Sequence, residues 1–177
     1  MFETLGIPVF KADDTARMLM ETDQQLVADI SDLLGSDVYT EGRLNRQLVS
    51  GRVFKEPILL TKLNNLVHPA TIAYGKQWIE QQVSPYIIKE AAIFFESGTS
   101  KDMDIMVGVY APTSLRIART IRRSQLDRQQ VEEIMLRQMN EEEKMKLCDH
   151  VITNDDIAAI TPQVLALHQL FITKKSV

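Results

Sequence analysis

The sequence predicts an α/β fold in which helices cover both faces of a parallel sheet. Residues 6–10, 86–95, 105–110 and 150–153 form continuous apolar runs, and amphipathic helical segments lie between them. Strands that are buried on both faces are apolar throughout, and their alternation with helices is typical of parallel sheets. Ligands in such folds bind at the carboxyl ends of the strands. The polar residues that follow each strand are therefore the candidates for function.

Composition limits the classes of protein to which the chain can belong. Its 177 residues, of which 45% are apolar and 25% charged, are typical of one ordinary globular domain. No apolar run approaches the roughly 20 residues that span a bilayer, and the N-terminal residues do not resemble a signal peptide. The single cysteine, Cys148, excludes an internal disulfide, and the net charge of −4 argues against non-specific nucleic-acid binding. We expect a cytoplasmic protein without nucleic-acid or membrane partners.

Helix signals in the first half of the chain are clear at several points. Thr22 and Asp23 are suitable N-caps for a helix that ends before Gly35, and Asn45 is suitable for a short one. Pro57 fits the first turn of another helix. We predict a break at His68–Pro69, because the residue before a proline disfavours the helical conformation.

In the second half of the chain, the sequence predicts four helices. Thr113 or Ser114 is expected to cap a helix that runs through Arg123, and a second helix covers about residues 127–139. A short helix begins near Asn140. Thr161–Pro162 is expected to supply the cap and first turn of the last helix.

Arginines are concentrated on one predicted helix. Arg116, Arg119 and Arg123 have the spacing i, i+3 and i+7 and share a face, with Arg122 beside them. Six arginines lie between residues 116 and 137 of an acidic chain. Guanidinium groups bind phosphate oxygens bidentately, so this pattern favours a polyphosphate site, whereas the alternative is a solvated, salt-bridged helix.

The other candidate functional residues occur singly and form no sequence motif. Asp13 follows the first strand and suits either a base that acts on a hydroxyl or, more commonly, a helix cap. Glu90 lies in an apolar run, where a buried carboxylate without a partner would be costly. His68 is one of three histidines, none at metal-ligand spacing, so we predict no zinc site. The Gly-x-x-x-x-Gly-Lys-Ser/Thr pattern does not occur in these residues.

Six segments in sequence order resemble the dephospho-coenzyme A kinase family of P-loop kinases. The resemblance extends to about Phe171 and no single segment carries it. Leu66–Pro69 resembles the family's Leu-x-His-Pro element, and Lys89–Gly98 resembles its strand ending in Leu-Phe-Glu-Ser-Gly. The other segments are Leu5–Val9 with Ala12–Asp13 and Ala16–Arg17, Leu44–Arg46 with Val53–Phe54, Arg119–Arg123 with Arg137–Met139, and Asp149–Asn154.

This resemblance implies ATP-dependent phosphorylation of the ribose 3′-hydroxyl of dephospho-coenzyme A, with Mg²⁺. It implies a three-layer P-loop NTPase-like domain over residues 1–177, a helical substrate-binding insertion at 35–83 and an arginine-rich lid at 114–139. The implied catalytic residues are Asp13, Arg119 and Arg123. Dephospho-coenzyme A would contact Arg17, His68, Phe95 and Glu96, and ATP would contact Arg122, Arg137 and Asn154.

The chain departs from the family at its N-terminal end. The family's first strand and glycine-rich P-loop have no counterpart in these residues, and Lys11 and Ala92 replace an Asp and a Pro that are frequent in the family. A truncated chain, a misplaced start and a non-catalytic remnant that binds coenzyme A or a partner are all compatible with this difference. The alternative among enzymes is another small nucleotide or nucleoside kinase. We expect these 177 residues by themselves to phosphorylate poorly. We also expect the strands at 86–92 and 105–109 to have unpaired edges.

Overall fold

The computed structural model describes residues 1–124 and 126–173, except for the side chains of Phe54 and Lys55. Some predictions therefore concern parts that are not described. These are the side chain of Phe54 in the family resemblance, residue 125 in the predicted lid and residues 174–177 in the predicted domain. The chain divides into two compact units, Gly6–Ala91 and Met1–Leu5 with Ala92–Val177. The single kinase domain over 1–177 stays a prediction.

The unit Gly6–Ala91 contains one parallel strand pair and four helices. Strand β1 (Val9–Lys11) pairs with β4 (Ile88–Glu90), and Lys11 lies opposite Glu90 at the carboxyl ends. A short antiparallel pair joins β2 (Tyr39–Thr40) to β3 (Arg43–Leu44). The helices are α1 (Ala12–Thr22), α2 (Gln24–Leu34), α3 (Arg46–Lys55) and α4 (Pro57–Glu80).

Helices α1 to α4 enclose an apolar core. Ile30 and Val38 are completely buried at its centre, and Leu19, Leu26 and Val67 belong to the same cluster. The predicted caps of two helices are confirmed, because Asp23 accepts the N–H of Leu26 and Asn45 accepts the N–H of Leu48, each at 3.0 Å. Helix α1 is not among the helices that the sequence predicts. It packs on α4 and contributes Leu19 to the apolar cluster.

The predicted break at His68–Pro69 is wrong. Helix α4 runs through this dipeptide without interruption and contains Pro69 in its interior. A proline there removes one backbone hydrogen bond and crowds the preceding turn. The packed face of the helix, which buries Leu63, Val67 and Thr71 around the proline, offsets that cost.

The second unit contains the other parallel pair. Strand β5 (Val107–Tyr110) pairs with β6 (His150–Thr153), with Tyr110 opposite Thr153. The helices are α5 (Thr113–Arg123), α6 (Arg128–Leu136), α7 (Glu141–Lys146) and α8 (Ile160–Thr173). The caps predicted at Thr113 and Ser114 are wrong, because Pro112 occupies the N-cap position of α5 and no side chain caps that end. Helix α8 begins at Ile160, so Thr161 lies inside its first turn.

The predicted α/β class with parallel strands is confirmed. In the described part of the chain, β1, β4, β5 and β6 each pair with a single neighbour, so one edge of β4 and one edge of β5 carry no ladder bonds. The strand predicted over 86–95 is limited to Ile88–Glu90. Among the described helices, none is both long and apolar enough to cross a membrane.

Gly35, which ends α2, should tolerate no side chain. Its φ of +94° is disfavoured for L-residues, and a Cβ there would lie 2.7 Å from Asp37 Oδ1. We expect Gly35→Ala to lower the free energy of unfolding by about 1–3 kcal/mol. The control is Gly51→Ala inside α3, where a Cβ meets nothing within 4 Å. This substitution should raise the free energy of unfolding by about 0.5–1 kcal/mol. Urea unfolding of both variants measures the difference, and equal effects would contradict the assignment.

Candidate active site

Acidic side chains gather at the carboxyl end of the β1–β4 pair. Asp13 and Asp14 lie in the first turn of α1, which begins directly after β1, and the register places Lys11 opposite Glu90. Asp13 is exposed there. The alternative role of Asp13 as a helix cap is wrong, because Lys11 occupies the N-cap position and no side chain makes a cap bond. The two aspartates instead interact favourably with the positive end of the helix dipole.

Glu90 is the carboxylate that its surroundings perturb. The expectation of a buried glutamate is wrong, since Glu90 ends its strand and is exposed there. Partial desolvation raises the pKa of Glu90, the negative charges of Asp13 and Asp14 raise it further, and Lys11 opposes the change. A carboxylate that is more basic than usual therefore faces Asp13 across the end of the strand pair.

Two predicted substrate-side residues lie in the same unit as Asp13. Arg17 lies one turn further along α1 and forms an exposed ion pair with Asp14 at 3.2 Å. His68 is half-buried on α4. Arg17 shares a helix with Asp13, whereas His68 comes from a different one.

The four arginines of α5 do not act as one surface. Arg116 pairs with Glu141 of α7 at 3.0 Å, and both side chains are mostly buried. Arg119 bonds to the loop after β6. Arg122 and Arg123, at the end of the helix, are exposed and have no polar partner among the described residues. The salt bridges of the alternative are thus present at the first two arginines, whereas the last two are exposed to solvent and stay candidates for a phosphate site.

Arg119 and Asn154 are brought together by the structure. The Arg119 guanidinium donates to the backbone oxygen of Asn154 at 3.0 Å, to its Oδ1 at 3.1 Å and to Asp156 Oδ1 at 2.5 Å. Asp155 organises the next turn by accepting the N–H groups of Ile157 and Ala158, which lowers the pKa of Asp155. The loop at the carboxyl end of β6 is therefore fixed by side-chain bonds.

Glu96 is already bonded within its own unit. Its carboxylate accepts the N–H of Met139 at 2.8 Å and lies 3.1 Å from Lys144 Nζ. Burial alone would raise the pKa of Glu96, but these two donors lower it below its ordinary value. Phe95 beside it is half-buried, and Arg137 lies at the C-terminal end of α6.

A cavity of about 510 Å³ lies between α5, α6 and α7. Its walls combine the apolar side chains of Ile117 and Met135 with the carboxylates of Glu132 and Glu142. None of the predicted site residues lines it, and its carboxylates would repel a polyphosphate. The cavity is therefore a poor candidate for the nucleotide.

Sequence reasoning missed two residues that organise this region, Asp156 and Lys144. Asp156 adopts a φ of +67°, which the sequence does not reveal, and its partner Arg119 lies 37 positions away. Lys144 follows three glutamates, and the sequence predicts only that it belongs to a short helix. Its link to Glu96, 48 positions earlier, depends on tertiary structure alone.

Comparison with known proteins finds relatives over most of this chain. A family model described as dephospho-CoA kinase matches residues 1–159. A dephospho-CoA kinase of Bacteroides fragilis (strain YCH46) is 32% identical over 94% of this chain and 82% of its own length. One from Coxiella burnetii is 35% identical over 94% of this chain and 85% of its own length.

Solved structures show the same fold. The crystal structure of TT1252 from Thermus thermophilus has a TM-score of 0.82 and 26% identity, and the match covers 99% of this chain and 88% of that one. The dephospho-CoA kinase from Campylobacter jejuni has a TM-score of 0.64 over 95% of this chain and 87% of its own. At 22% identity, the second likeness concerns the fold alone.

The carboxylate cluster predicts an unusual pH dependence of stability. Because the pKa of Glu90 is raised in the folded state, the charged carboxylate lowers the free energy of unfolding at neutral pH. This destabilisation disappears as the pH falls through that pKa and the carboxylate takes up a proton. We expect Glu90→Gln to raise Tm at pH 7–8 and to have a smaller effect near pH 4. Glu41→Gln, an exposed glutamate in the same unit, is the control. A Glu90→Gln variant with a lower Tm at neutral pH would contradict this assignment.

Proposed function

The chain belongs to the dephospho-CoA kinase family, and on that premise we propose which of its residues perform the phosphorylation. The family function is the ATP-dependent conversion of dephospho-CoA to CoA. The observation that carries the proposal is the position of Asp13, exposed directly after β1 at the carboxyl end of a parallel strand pair.

Asp13 is proposed to act on the acceptor. Its carboxylate accepts the proton of the ribose 3′-hydroxyl while that oxygen attacks the γ-phosphorus. The bond from the γ-phosphorus to the bridging oxygen breaks, and ADP leaves with the electron pair. Glu90 adds negative charge beside Asp13, which favours uptake of a proton by the cluster.

Arg122 and Arg123 are proposed to neutralise the phosphates of ATP. They are exposed, and no carboxylate among the described residues occupies them. Charge neutralisation and positioning supply most of the catalysis in phosphoryl transfer. The nucleotide would enter as its Mg²⁺ complex, because Mg²⁺ is usually held by substrate phosphates together with one or two protein ligands.

Arg119 is proposed to serve the nucleotide indirectly. Its bonds to Asn154 and Asp156 fix the loop that the resemblance assigns to the adenine. To reach a phosphate, Arg119 would have to exchange those bonds, so we place it as a positioning residue. Arg137, at the end of α6, is proposed to lie on the nucleotide side.

The acceptor side is proposed to include Arg17, His68 and Phe95. Arg17 is exposed one turn from Asp13, and Phe95 follows β4. A cationic side chain suits the phosphates of dephospho-CoA, and an aromatic one suits its apolar parts. We also propose a cytoplasmic location, because the chain has one cysteine and its relatives act on a soluble metabolite.

The direct test of function is CoA formation from ATP and dephospho-CoA. We expect phosphorylation of dephospho-CoA and not of adenosine, and we expect turnover to be faster when a P-loop segment precedes the 177 residues. Preferential phosphorylation of adenosine would instead indicate a nucleoside kinase. Binding of dephospho-CoA without turnover in both forms would indicate a non-catalytic protein.

Asp13→Asn should abolish most of the activity without loss of stability. The amide keeps the shape of the side chain but cannot take the proton, so kcat should fall by about 10²-fold or more in the P-loop-extended chain. Asp32→Asn, which removes an exposed carboxylate from α2, should leave kcat unchanged. Retained turnover in Asp13→Asn, or an equal loss in both variants, would contradict the role of Asp13.

Arg123→Ala should raise the barrier to transfer. Loss of one charged phosphate contact in the transition state costs about 2–4 kcal/mol, so kcat should fall more than the affinity for dephospho-CoA. Arg128→Ala on α6 removes an exposed arginine that already pairs with Glu132, and serves as the control. If steady-state kinetics show that both variants behave alike, the assignment of the unpaired arginines is wrong.

A further inference from the structure

Glu96 contacts the short helix α7 at two points. Its carboxylate accepts the N–H of Met139, just before Asn140 caps α7, and it pairs with Lys144 in the next turn of the same helix. The side chains of Glu96 and Lys144 are only 22% and 14% exposed, so water screens this ion pair weakly. One carboxylate therefore fixes both the start and the middle of α7.

Lys144 also contacts the segment from which Glu96 projects. Its Nζ donates to the backbone oxygen of Ala92 at 3.5 Å. Residues 92–97 thus meet α7 at two points, through Ala92 and through Glu96. Because Phe95 lies between these points, its backbone position depends on where Lys144 is held.

Helix α7 is itself anchored to the rest of its unit. Glu141 pairs with Arg116 of α5, and Met145 packs so closely on β5 that a Cβ at Gly108 would lie 2.6 Å from its sulfur. A helix of six residues is unstable by itself, so these contacts decide its position. Lys144 therefore links residues 92–97 to a fixed support.

We propose that Lys144 is a positioning residue for dephospho-CoA, which acts through Glu96 and the backbone of Ala92 to place Phe95. Lys144 need not touch the substrate. This inference rests on the proposed function, because Phe95 is a substrate-side residue only within it.

The experiment measures dephospho-CoA binding by calorimetry to the 177-residue chain, together with its urea unfolding. Lys144→Met removes the charge and the donors, and Lys144→Gln keeps a donor in case the first variant fails to fold. We expect the Kd to rise about tenfold for either variant under conditions in which it is fully folded. Lys146→Met, an exposed lysine on the same helix, should bind like the wild type.

A double-mutant cycle identifies the route of the effect. In a Glu96→Gln background, Lys144→Met should raise the Kd by much less than tenfold, because the two side chains act as one unit. Lower stability with unchanged affinity would reduce Lys144 to a structural role and overturn the inference. Wild-type protein that binds no dephospho-CoA would overturn the proposed function itself, and the inference with it.

Discussion

The parallel register of the two strand pairs determines where the polar residues of the site lie. Pairing of Lys11 with Glu90 ends β1 and β4 at one level, so Asp13 emerges beside Glu90. Pairing of Tyr110 with Thr153 does the same for β5 and β6, after which Asn154 follows at once and donates its N–H to Tyr110. Within each pair the parallel strands end at the same edge, so side chains from distant parts of the sequence meet there.

The four arginines of α5 fall into two groups that differ in their contacts. Arg116 and Arg119 are used to join elements, since their guanidinium groups bond to Glu141 and to the loop of Asn154 and Asp156. Arg122 and Arg123 have no such bonds among the described residues. Arg116 and Arg119 would have to give up these bonds to bind a phosphate, whereas Arg122 and Arg123 have no bond of this kind to exchange in the described part of the chain. Partner geometry therefore separates structural from functional arginines that the sequence makes look alike.

Loops near the site are fixed by side chains that bond to the backbone. Asp155 accepts two N–H groups of the loop after β6, Asn140 caps α7, and Glu96 accepts the N–H of Met139. These acceptors satisfy backbone donors that short helices and turns leave open. Residues placed by such loops can hold a defined geometry without belonging to a long element.

The sequence alone determined the parallel α/β class, the family, and the caps Asp23 and Asn45. These depend on apolar periodicity and on hydrogen bonds between residues a few positions apart, which a sequence displays directly. Tertiary structure decided the continuity of α4 through Pro69, the exposure of Glu90, and the partners of Arg119 and Lys144. Those outcomes depend on packing and on partners 35 to 52 positions away. Local conformational preferences contribute less to the free energy of folding than burial and long-range pairing do. The sequence alone therefore does not predict these features.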